Sequence, residues 1–497
     1  MGKITKDWLL AIALFAIVFS IRVFLLMQSQ TLASESYFTL RHAEHIRETG
    51  APLYNDPLSY SGRTFLFPPL FEYGLALSNW MLPLDIGAKV FTSLCISSLV
   101  LIVYAISKHL TKSKSISLIA ALFTGFVPAI FPSIQSVTPT ALSVPLLFLL
   151  SYAILRIEEP GFAAMALITG ILALLTSTHI FVLLLGLLFY FILLVSDKSK
   201  PAIKELEITV FLLFLSIWFY VLLFKKAFFS NGLAVLWGNI PTQLLSSYFE
   251  QASFFGIMYA VGVVPLFLGI YAMYNAVFET KNKDAMLHIG FALSSFAFLW
   301  LRVLPFDTAL LFFSINMIIL SACTLKTART ALSKTKLDKL APFLAILVVL
   351  IFASSSAYTF LAFRIEEPQS TEDITALNWV RQNTNSTAVI LGRVSEGFLI
   401  NYFAARKNVA DENFLFVKEP EAIYGDIEEI YQLRLSSEAI RLLSKHSVDY
   451  IFLSSRTKEE EEITRLFYDD NECFETVYNT TESGPTIYHF KGCSLEE

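Results

Sequence analysis

Eleven apolar runs of 17 to 22 residues fill most of the first 362 positions of this 497-residue chain. They lie at 8–27, 86–107, 116–132, 140–156, 161–177, 179–196, 206–224, 256–277, 285–301, 308–325 and 341–362. A helix of roughly 20 apolar residues crosses about 30 Å of hydrocarbon. Backbone in lipid must satisfy its own N–H and C=O groups, so these runs dictate a polytopic bundle of about 11 helices. Charged residues make up only 16% of the chain, against about 25% in soluble domains. The first run is too long for a signal-peptide core, and no small-residue cleavage site follows it, so it is expected to remain a span.

Behind the last run the character changes. Residues 365–497 carry 12 Lys and Arg against 25 Asp and Glu, a net charge of −13, whereas residues 1–364 carry 25 against 17, a net of +8. The chain therefore divides into a polytopic transmembrane domain, 1–363, and a polar α/β domain, 364–497. This division excludes a soluble enzyme and a disordered scaffold. With no basic face on the acidic module, it also excludes a nucleic-acid partner. In that module, helices are expected at 371–383, 395–405, 421–432, 435–446 and 458–467, strands at 388–391 and 448–453, and a hairpin over 473–491.

An N-terminus placed in the cytoplasm puts 16 Lys and Arg in inner loops against 7 in outer ones, the bias that orients membrane proteins. Eleven crossings then set the acidic module on the extracytoplasmic face. Two outer loops, 28–85 and 225–255, are too long to be simple connectors, and long loops in compact architectures usually carry function. Cys95 and Cys323 sit in apolar runs and are read as packing residues. Cys473 and Cys493 bracket the terminal hairpin. An oxidising compartment would let them pair, the alternative being two free thiols. Asn385-Ser-Thr387 and Asn479-Thr-Thr481 fit the N-glycosylation pattern in the same module. Arg22 is expected to reach the interface from within the first run, and His179 to stand at a hairpin tip.

The first long loop reads Ser34-Glu-Ser-Tyr-Phe-Thr-Leu-Arg41, His45-Ile-Arg-Glu-Thr-Gly50, Pro57-Leu-Ser-Tyr-Ser-Gly-Arg63 and Phe67-Pro-Pro-Leu-Phe71. This resembles the first extracytoplasmic loop of the GT-C membrane glycosyltransferases, particularly the catalytic subunit of oligosaccharyltransferase. Ala376-Leu-Asn-Trp-Val-Arg-Gln-Asn383, Asn401-Tyr-Phe-Ala-Ala-Arg-Lys-Asn-Val-Ala-Asp411 and Val448-Asp-Tyr-Ile-Phe-Leu-Ser-Ser455 resemble segments of that family's soluble domain, in the same order. The resemblance implies transfer of a sugar or glycan from a polyprenyl-phosphate-linked donor to a protein or glycan acceptor, at the extracytoplasmic face of the cell membrane.

It also implies roles for individual residues. Glu35 and Glu250 are the expected catalytic acids, and the same pair would hold a divalent cation, Mn²⁺ or Mg²⁺. Arg41, His42, Lys225, Lys226, Arg302 and Glu396 are the expected substrate contacts, with the two lysines meeting lipid phosphate and Arg302 matching the arginine at the outer end of a late span. Two stretches depart from the family pattern. Gln135-Ser-Val-Thr-Pro-Thr140 has no carboxylate where the family carries an acidic pair, and hydroxyls are weak replacements as ligands for a hard cation. Arg393-Val-Ser-Glu-Gly397 replaces the aromatic acceptor-reading motif, so an acceptor other than the standard sequon is expected. A non-catalytic scaffold or lipid-linked-glycan binder on the same fold is the competing expectation. A transporter fits poorly, because the centres of the runs hold almost no ionisable residues.

Overall fold

A computed structural model describes residues 6–80, 82–249, 253–362, 368–469 and 472–493. Each of the eleven apolar runs lies on helix. Among the described residues, five helices are long and apolar enough to cross a membrane: Trp8–Gln28, Leu84–Thr111, Ile203–Leu223, Phe306–Leu332 and Asp338–Leu361. The number becomes seven if two bent pairs, Lys114–Phe126 with Pro128–Ile134 and Phe254–Val261 with Val263–Glu279, each count as one span. Pro128, which lacks an N–H, follows the first break, and Gly262 at φ 87° occupies the second. Thr140–Leu155, Phe162–Leu174 and Ile180–Ser196 are apolar but shorter.

Phe306–Leu332 is the most enclosed of the long helices, with 83% of its apolar window buried. It packs against Val263–Tyr274, Lys283–Trp300, Leu99–Thr111 and Lys114–Phe126. Lipid tails are as apolar as leucine, so close backbone approach and polar pairs must hold such helices together. Ile180–Ser196 meets Lys283–Trp300 at two glycines. A Cβ on Gly290 would stand 2.3 Å from the Gly186 carbonyl oxygen. Polar pairs add to the packing. His288 Nδ1 lies 3.1 Å from Asn316 Oδ1, and Ser294 donates to the Val182 carbonyl at 2.6 Å. His179 is buried beside Phe312, 2.7 Å from Ser143 Oγ. It is therefore an interhelical packing residue.

Among the described residues, seven strands fall in two sheets. β1 (Asn55–Asp56) and β2 (Arg63–Thr64) form a small antiparallel hairpin in the first long loop. β3 (Val389–Leu391), β4 (Lys407–Asn408), β5 (Tyr450–Leu453), β6 (Phe474–Asn479) and β7 (Thr486–Phe490) form a mixed sheet in the order β4-β3-β5-β7-β6. β3 runs parallel to both β4 and β5, while β7 is antiparallel to both its neighbours. Cys473 and Cys493 are disulfide-bonded at the open end of the β6–β7 hairpin, and Cys95 and Cys323 are free.

Two local readings shift. The helix expected at 458–467 runs instead over Ser455–Glu460, because the Ser454 side chain caps it by accepting from the Thr457 N–H. Glu462 at φ 54° then turns the chain out of the helix. The helix expected at 395–405 starts as a tight turn closed by the Glu396 side chain and ends as a widened turn over Ile400–Ala404.

Replacing Gly290 with alanine drives a methyl group into a backbone carbonyl. The expected result is a loss of about 1–3 kcal/mol, the usual range for overpacking, read as a lower melting temperature of the detergent-solubilised protein. Gly425, where an added Cβ would meet nothing within 4 Å, is the control, and Gly425→Ala should leave the melt unchanged or raise it slightly.

Candidate functional site

The first long loop opens with the helix Ser34–Thr49, whose first turn is held from two sides. On the bundle side, the Ala33 N–H donates to the Gln135 carbonyl at 2.9 Å, and the Val137 N–H donates to Ser36 Oγ at 2.9 Å. On the α/β side, Ser34 Oγ donates to the Ser395 carbonyl at 2.7 Å, and Tyr37 packs on Tyr402 and Phe403. Further along, the β1–β2 hairpin clips onto the same domain. Ser59 Oγ donates to Asp411 at 2.5 Å, Arg63 pairs with Asp411 at 2.9 Å, and the Tyr60 N–H donates to Asn408 Oδ1 at 2.7 Å.

The junction encloses a cavity of about 470 Å³. Glu35 reaches it from the loop helix, Thr138 and Thr140 from the segment after Ile134, Asp307 from the first turn of Phe306–Leu332, and Asp373, Glu396, Glu412 and Arg456 from the α/β domain. Five carboxylates thus face one space. They divide by their hydrogen bonds. Glu396 Oε1 accepts from Ser454 and Thr457 and its Oε2 from the Arg393 N–H, while Asp373 accepts from both the N–H and Oγ of Ser455. These two acids hold the wall together. The side chains of Glu35, Asp307 and Glu412 make no hydrogen bond or ion pair among the described residues, and each is open to the cavity.

Being open to a cavity is not being well hydrated. Glu35 keeps solvent exposure where the cavity opens, but the crowding of protein around it, together with the Asp307 charge, lowers its solvation and raises its pKa. Burial, then Glu35 and Asp411, push Glu412 up to about 8, and burial pushes Glu396 up to about 7 against its three donors. Like charges sharing a poorly solvated space cannot all ionise readily, so at least one of these acids is poised to take up a proton near neutral pH. Among the described residues no three His, Cys, Asp or Glu side chains stand together as a metal-holding group. As placed, the cavity acids do not form a ready ligand set for Mn²⁺ or Mg²⁺.

The sequence-nominated residues fall in several places. Glu35 lines the cavity, and Glu396 lines it with its oxygens already engaged. Glu250 lies outside the described residues. Arg41 is ion-paired with buried Asp56 inside the loop. His42 is fully buried, stacked against Phe38 and Phe67, and its Nδ1–H donates to the Phe38 carbonyl at 2.8 Å. Burial and Arg41 hold its pKa down at about 4, so the ring is neutral. Lys225 and Lys226 are exposed at the start of a short helix and do not line the cavity. Arg302 Nη1 donates to the Leu245 carbonyl at 2.5 Å and its guanidinium covers the Phe249 ring, so it fastens the second long loop. Tyr248 OH joins it by donating to the Leu304 carbonyl at 2.5 Å.

Asp307 and Glu412 are the site acids that the sequence reading passed over. Asp307 follows Pro305 at the entry to an apolar run, where an acid reads as an ordinary helix-start residue. Glu412 directly follows Asp411, the last residue of a recognised motif.

No protein-family model matches the chain, and no curated protein matches it in sequence. Solved structures do. The apo oligosaccharyltransferase of Archaeoglobus fulgidus superposes with a TM-score of 0.68 at 14% identity, covering 91% of this chain and 70% of that one. ArnT from Cupriavidus metallidurans, bound to undecaprenyl phosphate, gives 0.54 at 11% identity over 98% of both chains. The mycobacterial arabinofuranosyltransferase AftD gives 0.56 at 11% identity, covering 99% of this chain and 42% of that one. The chain has the fold of the GT-C glycosyltransferases, a membrane-protein fold.

The raised carboxyl pKa values carry a sign. A carboxyl whose folded pKa lies above its unfolded value contributes stability that is complete below the unfolded pKa and is lost as pH rises through the folded one. For Glu412 that window runs from about 4.5 to about 8. Glu412→Gln should melt like wild type near pH 4.5 and at a progressively higher temperature than wild type as the pH approaches 8. A constant difference across that range would contradict the assignment.

Proposed function

We propose that the protein is a membrane glycosyltransferase that moves a sugar or glycan from a polyprenyl-phosphate-linked donor to an acceptor in the acidic cavity. In this reading the eleven apolar helices cross the membrane, the N-terminus is cytoplasmic and the α/β domain is extracytoplasmic. The observation that carries it is the meeting of Glu35, Asp307 and Glu412, acids without partners among the described residues, in one cavity where the bundle adjoins the α/β domain. Neighbours on this fold have been captured with such carriers: A. fulgidus AglB with dolichol-phosphate and ArnT with undecaprenyl phosphate.

The chemistry follows from the acids. An acceptor O–H or N–H enters the cavity, its heteroatom bonds to the anomeric carbon, and the bond from that carbon to the phosphate oxygen breaks. The acceptor proton passes to Glu35, whose raised pKa suits a base working near neutral pH. The electron pair of the broken bond stays on the lipid phosphate. Asp307 supplies negative potential that favours positive charge developing at the anomeric carbon, and Glu412, protonated below about pH 8, can donate a hydrogen bond to the bound substrate. Arg456 is the cation that the α/β domain brings to the cavity, and it is held there by an ion pair with Glu460 at 2.8 Å. A second reading, a lipid-linked-glycan binder without turnover, is favoured by Thr138 and Thr140 standing where the family carries an acidic pair.

The test is release of polyprenyl phosphate from a radiolabelled polyprenyl-phosphate sugar by purified protein, with water as the acceptor of last resort. Wild type should release it, and Glu35→Gln should lower the rate by about 10² or more, the usual contribution of a positioned base. Unchanged release by Glu35→Gln removes Glu35 as the base. Donor that binds but is never cleaved favours the second reading.

A further inference from the structure

A second cavity, of about 390 Å³, opens between the helices Trp8–Gln28, Lys114–Ile134 and Ala341–Ala362. Its walls are almost wholly apolar. Val18, Leu25, Phe126, Phe131, Phe352 and Phe360 are typical of the lining, and only Arg22 and Ser356 are polar. Ala341–Ala362 is the least enclosed of the five long apolar helices, with 11% of its window buried, and Ala353 and Ala357 stand exposed at the edge of the cleft. Where Gly125 lines the cleft, a Cβ would stand 2.6 Å from Val18 Cγ2, so the glycine sets how closely the first two helices approach.

Arg22 is the anomaly. It is 4% exposed and lies six residues before the end of its helix, about 9 Å along the axis at 1.5 Å per residue. A buried charge in a span is expensive unless compensated, and such residues usually mark a functional site. No carboxylate pairs with Arg22 among the described residues. One nitrogen, Nη2, donates to the carbonyl and Oγ of Ser133, both at 2.9 Å, and the buried Nε has no partner. Ser133 in turn lines the acidic cavity, as do its neighbours Pro132 and Ala129. The apolar cleft and the acidic cavity thus meet at one arginine–serine contact.

We propose that this cleft holds the hydrocarbon chain of a polyprenyl phosphate, with Arg22 pairing the phosphate at the threshold of the acidic cavity. This deepens, and rests on, the glycosyltransferase reading. The chemistry selects the occupant: apolar walls open to lipid accept a chain, and a desolvated guanidinium with a free donor seeks a phosphate oxygen. A headgroup held at Arg22 would present whatever it carries toward Glu35, Asp307 and Glu412. Arg22 is in this account a positioning residue for the carrier, a role that exposed Lys225 and Lys226 cannot fill from outside the cavity.

The experiment measures binding of a photoreactive polyprenyl monophosphate to the full-length protein in nanodiscs, with uncharged polyprenol and phosphatidic acid as competitors. Crosslinks should map to 18–25, 122–134 and 349–360, and polyprenol and phosphatidic acid should each compete at least tenfold less well than polyprenyl phosphate. Arg22→Gln should weaken the phosphate at least tenfold and polyprenol little, with Arg22→Lys intermediate. Ala357→Phe, on the lipid-exposed edge of the cleft, should weaken both and keeps the test informative if the Arg22 variants misfold. Unchanged binding in Arg22→Gln and Ala357→Phe, crosslinks elsewhere, or equal competition by phosphatidic acid would overturn the proposal. Because binding is read without turnover, loss of the transferase reading would leave this result standing, and the reverse also holds.

Discussion

Asp411 is the pin on which the site depends. Its side chain has no exposure to solvent, and its two oxygens accept from Ser59, Arg63, Asn408 and the Asn413 N–H. Ser59 and Arg63 belong to the loop that leaves the first membrane helix, and Asn408 and Asn413 to the α/β domain. A buried carboxylate left without its cation typically costs about 3–5 kcal/mol, so this contact fixes how the loop sits on the domain. The next residue, Glu412, therefore faces the cavity from one wall while Glu35 faces it from another. The second long loop grips the same region. Asn239 Nδ2 donates to the Phe414 and Val417 carbonyls at 3.1 and 2.9 Å, and Thr242 donates to Glu421.

The polar residues of the junction follow one rule. Acids that have partners build the walls, and those without partners among the described residues face the space between. Arg41 with Asp56, Arg63 with Asp411, and Glu396 with Ser454 and Thr457 are spent on architecture. Glu35, Asp307 and Glu412 are not. Keeping three poorly solvated acids together opposes folding, and the interlocked contacts around them supply the compensation. Such a trade of stability for reactivity is what the proposed catalytic role would require.

Sequence and structure agree most closely where hydrophobicity decides the outcome. The apolar runs and strands as plain as Val389–Leu391 are visible in composition and periodicity. Glu35 was legible because it sits in a recognisable loop. What could not be read is which polar residues are spent. Arg41 and His42 look like ligands in one dimension, yet Asp56 and the Phe38 carbonyl claim them in three. Asp307 and Glu412 look like a helix-start acid and a motif flank, and only folding across some 270 and 380 residues brings them to the same cavity as Glu35. β4 was missed because two polar residues, Lys407 and Asn408, carry no alternation to detect.

The central claim is that Glu35 and Glu412, far apart in the chain, line one cavity before any substrate arrives. Cysteines at these two positions, in a protein whose Cys95 and Cys323 have been replaced by alanine, can be treated with a short bifunctional thiol reagent and the linked peptides identified by mass spectrometry. The account predicts an intramolecular 35–412 link in the absence of donor and acceptor. Cysteines that each react with a monofunctional reagent but never link to one another would contradict it.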